Sequence, residues 1–93
     1  MFIAILTLDL HIHEAASLKE KRMVVNSVLD RIRARFNVSA AQLDQHDLWQ
    51  SATLGIAAIS NDRRTAETVL NHVRDLVETE NRCDVTSCRT EIL

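Results

Sequence analysis

The sequence predicts an α+β domain: a four-stranded antiparallel sheet with two helices on one face, in the order strand, helix, strand, strand, helix, strand. Three observations predict it. Apolar residues alternate over 2–12, take helical spacing over 17–36, and repeat that change between 51–59 and the residues that follow. The chain has one glycine and no proline, so little of it can be loop. Right-handed crossovers place the first and third strands at the sheet centre, and these are the two most apolar strand segments. The result is the split βαβ, or ferredoxin-like, topology, filling residues 1–93 as a single domain.

Each element has its own reason. From Phe2 to Ile12 the even positions (Phe2, Ala4, Leu6, Leu8, Leu10, Ile12) form an apolar face. The odd positions (Ile3, Ile5, Thr7, Asp9, His11, continuing to His13) form a mixed one. Ser17 to Phe36 is a helix with the stripe Leu18, Val25, Val28, Leu29, Ile32 and Phe36. Ser17 and Glu20 make a capping box at its start, and Asn37 is a natural stop. Val38 to about Leu43 reads as a short strand whose alternation slips near Ala41 and Gln42, where a bulge is expected. Asp44 to Gln50, "DQHDLWQ", is a polar connection holding the only tryptophan. Ser51 to Ile59 is the next strand, with Gly55 in its middle, where a missing side chain can admit a close neighbour. "SND" at Ser60 to Asp62 starts the second helix, capped by Asn61 or Asp62. Its stripe is Ala66, Val69, Leu70, Val73, Leu76 and Val77, and it ends near Thr79 to Asn81. Arg82 to Ile92 is the last strand.

Composition narrows the class. A chain of 93 residues buries roughly two thirds of the surface its unfolded form exposes. Phe2, Phe36 and Trp49 are the only large aromatics, so the core is expected to be aliphatic. No apolar run approaches the roughly 20 residues that cross a bilayer, and the apolar N-terminus reads as a strand. No membrane partner is expected. Cys83 and Cys88 lie five apart, which on a regular strand points them to opposite faces and argues against a mutual disulfide. A cytoplasmic protein is expected.

Catalytic signatures are absent. One glycine cannot build a Gly-rich phosphate loop, and neither cysteine has a local base. A non-enzymatic protein without a cofactor is the expectation. Asp9, His11 and His13 share one strand face with spacings of about 6–7 Å, a weak metal-ligand pattern that lacks further ligands nearby. Charge is more informative. Lys19, Lys21, Arg22, Arg31, Arg33 and Arg35 against Glu20 and Asp30 give residues 17–36 a net +4, leaving −6 for the rest. These six cations are candidate phosphate contacts. On the open sheet face, Ile3, Ile5, Thr53, Ala57 and Ile59, with Trp49 beside them, make a candidate surface for a second copy. That face carries no strand aromatic, which argues against base stacking in the manner of RNA-recognition motifs.

Four stretches resemble a known family: "SLKEKR" at Ser17–Arg22, "RFNVS" at Arg35–Ser39, "DLWQSATLG" at Asp47–Gly55 and "SND" at Ser60–Asp62. In this order and spacing they resemble the YlxP-like family of small bacterial proteins, over Phe2 to about Val77. The resemblance implies a ferredoxin-like fold and a chromosomal setting beside genes for translation initiation, ribosome-binding factor A and tRNA pseudouridine synthesis. It implies no catalytic residues. His13 stands where the family pattern carries proline, which separates the His11-Ile12-His13 stretch from any shared site. The leading expectation is therefore a translation or ribosome-maturation accessory that touches RNA, working as a homodimer. A protein-interaction module using the apolar sheet face is the alternative, and a small-molecule or metal-binding domain the third.

Overall fold

A computed structural model describes all 93 residues. Its elements are β1 (Phe2–Ile12), α1 (Leu18–Arg35), β2 (Ser39–Gln42), β3 (Ser51–Ser60), α2 (Arg63–Glu78) and β4 (Cys83–Ile92). The four strands form one antiparallel sheet in the order β2-β3-β1-β4, and both helices lie on one face. This is the expected ferredoxin-like arrangement, with β1 and β3 central.

The even face of β1 and the even residues Ala52 to Ala58 of β3 meet the helix stripes and close the core. Leu6, Leu8, Leu10 and Ile12 are at most 2% exposed. The 22-residue core contains no aromatic side chain, so its cohesion rests on packed aliphatic groups. Cutting one such leucine to alanine costs about 2–5 kcal/mol.

The helix starts follow their sequence signals. The Ser17 hydroxyl accepts the Glu20 amide at 3.1 Å. Glu20 reaches back to the amide of Ala16, one residue before the cap, at 2.6 Å. Asp62 caps α2, its carboxylate accepting the Thr65 hydroxyl at 2.7 Å. Glu14 takes the left-handed conformation (φ 54°) in the turn between β1 and α1.

Two expectations about strand regularity are corrected. No bulge occurs at Ala41 and Gln42: β2 pairs evenly with β3 and ends at Gln42. Beyond it the Leu43 amide still donates to the Thr53 carbonyl at 2.8 Å, but the Thr53 amide, which would complete the pair, donates instead to the Asp44 carboxylate at 2.8 Å. The register shift lies instead between β1 and β4, where Ser87 faces Asp9 and Val85 faces Leu10, leaving Thr86 unpaired. That extra residue reverses the facing of everything beyond it. Cys88 pairs with Leu8 and Cys83 with Ile12, so both thiols lie on the helix side of the sheet, contrary to the opposite faces expected. Four residues of β1 still separate them, about 13 Å, too far for a disulfide. Cys83 is buried and Cys88 exposed.

Gly55 serves the purpose its position suggested. A Cβ there would lie 2.7 Å from Leu43 Cδ1, so the leucine lies against the bare backbone of β3.

Candidate functional site

The cationic helix is not a uniform surface. Lys21 falls on the apolar side of α1 and is 2% exposed. Its ammonium donates to Asp44 at 2.9 Å and to the His46 carbonyl at 3.5 Å. Asp44 is equally enclosed, its side chain 3% exposed. Burial alone would raise the Asp44 pKa. The Thr53 amide, the Lys21 ammonium and the Gln42 amide together outweigh burial and hold it below the usual value. Lys21 therefore leaves the set of phosphate contacts, because a buried charge already paired has nothing to offer solvent.

Other cations are engaged at the surface. Arg31 donates to Glu80 at 3.2 Å and to the Thr79 hydroxyl at 3.3 Å, joining α1 to the end of α2. Arg33 donates to the Ala40 carbonyl at 2.6 Å, occupying an outer group of the edge strand β2, and lies 3.8 Å from Asp30. Arg35 stands 5.8 Å from the centre of the Phe36 ring. Lys19 and Arg22 are exposed and have no acidic partner. They lie three residues apart in the first turn of α1, on one side of it.

The open sheet face divides along its length. At one end Ile59, 66% exposed, lies opposite Ile3, with Ala57 and Ile5 paired in the next row. At the other end Thr53 donates to Asp9 at 2.7 Å, and Arg89 on β4 reaches the same carboxylate at 3.3 Å. The Thr53 hydroxyl holds the Asp9 pKa below its usual value, against burial and with help from Arg89. Trp49 precedes β3, so roughly 26 Å of strand separates its end of the sheet from Ile59. Trp49 and Thr53 therefore do not belong to one patch with Ile3, Ile5, Ala57 and Ile59, as the sequence pattern suggests.

Asp9, His11 and His13 do not converge as ligands. Asp9 is held by Thr53 and Arg89, and His13 lies 2.6 Å from Asp84 on β4. No three acidic, histidine or cysteine side chains cluster closely enough to hold a metal ion. The Asp84 carboxylate raises the His13 pKa.

Sequence reasoning missed a groove. His11 pairs with Ser51, which brings the end of β1 beside Asp47, Leu48, Trp49 and Gln50. Together they line an open groove of about 520 Å³. A signal for it does exist: pairing of the first and third strands sets residue 11 beside the end of the tryptophan-bearing connection. Asp47 also borders a cleft of about 280 Å³ lined by Arg22, Gln45 and His46.

Residues 3–90 match the family described as Protein of unknown function (DUF503). The chain belongs to this family. "Uncharacterized protein YlxP" of Bacillus subtilis (strain 168) is 39% identical over 80 residues, which cover 86% of this chain and 87% of that one. Among solved structures, the de novo designed protein Foldit4 superposes with a TM-score of 0.58 at 13% identity, covering 98% of this chain and 97% of its own. A de novo designed protein with ferredoxin fold gives 0.55 at 10% identity, covering 99% and 85%. SnoaB, a cofactor-independent oxygenase from Streptomyces nogalater, gives 0.52 at 12% identity, covering 100% and 92%. At these identities the likeness is one of fold alone, and the designed neighbours share that fold with this family.

Proposed function

We propose that the protein is a non-enzymatic, cytoplasmic accessory of translation or ribosome maturation that contacts RNA through the start of α1. The observation that carries this reading is the pair Lys19 and Arg22, exposed, adjacent on the helix surface and free of acidic partners. Cations so placed contact phosphates without reading sequence. The chromosomal setting implied by the family resemblance supports the same direction. The test is binding of ribosomal RNA and small ribosomal particles by the intact protein and by Lys19→Glu with Arg22→Glu. Affinity is expected to fall, and the dependence of log affinity on log salt to flatten by about 0.7 for each single-strand phosphate that is no longer neutralised. Unchanged binding would remove these residues from the interface.

A homodimer through the apolar end of the sheet is a second reading. The observation favouring it is Ile59, a large side chain left two-thirds exposed against Ile3 in an otherwise ordered sheet. Sedimentation at micromolar concentration tests it: Ile59→Lys should turn a dimer into a monomer, and a wild-type monomer would end the reading.

A further inference from the structure

We propose that the groove between His11 and Trp49 is a stacking site for one base of single-stranded RNA. This rests on the RNA reading above and adds where a base, rather than a phosphate, is held.

Three rings gather at this end of the sheet, and none lies in the core. Trp49 is 49% exposed, a costly display for the only tryptophan of the chain. His11 lines the groove with it, and the His11 and His13 rings stand 5.7 Å apart at a tilt of 49°. Indole and imidazole faces are the surfaces on which proteins stack unpaired bases. The site sits at the end of the sheet, where His11 stands near the end of β1 and Trp49 just before β3, away from the aromatic-free middle of the open face.

The tryptophan is also held in place. The Lys21–Asp44 pair anchors the beginning of its connection. The Gln50 carbonyl accepts the Ile12 amide at 2.9 Å, and the Gln50 side chain donates to the Ala15 carbonyl at 3.4 Å, anchoring the end. A platform fixed at both ends loses little entropy when a base settles on it.

Polar groups set the class of ligand. Asp47 lines the groove and has no cationic partner. A carboxylate only accepts hydrogen bonds, so it favours an edge with adjacent donors, as guanine has, over uracil with its single one. Asp47 also borders the Arg22 cleft, so a strand whose base enters the groove can run its phosphates toward Arg22 and Lys19.

Trp49 is the sole tryptophan and tyrosine is absent, so intrinsic fluorescence reports this site alone. The experiment titrates the intact protein with single-stranded RNA hexamers, one carrying a central guanosine and one all uridine. Affinities of variants are read by anisotropy of end-labelled RNA. Saturable quenching is expected, stronger for the guanosine hexamer. Trp49→Ala should weaken binding about fivefold to a hundredfold, with Trp49→Phe restoring part of it. His11→Ala should weaken it less, and circular dichroism should show each variant folded. RNA binding that leaves Trp49 unquenched and survives Trp49→Ala would overturn the stacking site while the phosphate reading stood. No binding of either hexamer or of ribosomal RNA would overturn both.

Discussion

The Lys21 ammonium and the Asp44 carboxylate meet at 2.9 Å with both side chains almost wholly shut off from water. The pair fastens the first turn of α1 to the segment joining β2 and β3. Breaking a buried pair by removing one member strands the other charge and costs about 3–5 kcal/mol. Lys21→Met and Asp44→Ala are each expected to lower stability by that amount in urea unfolding. Losses adding in full in the double variant would argue that the two do not act as a pair.

Stability should depend on pH in two opposed directions. Asp44, Asp9 and Asp62 all titrate below their ordinary value of 3.8, and the Arg82 side chain draws Glu80 from 4.5 down to about 2. A lowered carboxylate contributes its stability above its unfolded pKa and loses it as pH falls through the folded one. His13, raised above 6.5 by Asp84, contributes below 6.5 and loses that contribution as pH rises through its folded value. The folded state should be most stable between about pH 4.5 and 6.5, with the steeper loss on the acid side, where four carboxylates act together. Thermal unfolding across pH 2–9 measures it, and Glu80→Gln should flatten part of the acid limb.

The two cysteines should react very differently. Burial pushes the Cys83 thiol up to about 11, while Cys88 is exposed. A thiol reagent at neutral pH should label one equivalent quickly and the second only on unfolding. Mass spectrometry of peptides should place the fast label on Cys88. Two fast equivalents would contradict the burial of Cys83.

Gly55→Ala should cost little. The new Cβ would meet the end of Leu43, and Leu43 is 52% exposed and able to turn aside. Moving the leucine is offset by the reduced freedom of the unfolded chain, about 0.4–1 kcal/mol. The net change is expected within about 1 kcal/mol by urea unfolding. Gly55→Val, with no comparable room, should cost more.

The fold was legible because its apolar periods are clean. The even residues of β1 and the stripe of α2 have a single reading, and they pack into the core with residues of α1 and β3. The site was legible only in part. Lys21 stands three residues after Leu18 and four before Val25, so it occupies the stripe itself, yet a lysine there reads as a solvated flank until its acidic partner is known. Asp44 is 23 residues away, and nothing local announces it. The Thr86 bulge was invisible for a different reason: the polar run around it has no phase to break. The His11–Trp49 groove needed the pairing of β1 with β3 before its two walls could be seen as neighbours.

The extra residue at Thr86 bears on how copies of this chain can associate. A sheet grows without limit when another strand adds to a straight, open edge. Here one edge, β2, is four residues long and has a carbonyl already taken by Arg33. The other, β4, is interrupted by the unpaired Thr86 and carries Asp84, Arg89 and Glu91. Neither is a good template, so the fold resists filaments by construction.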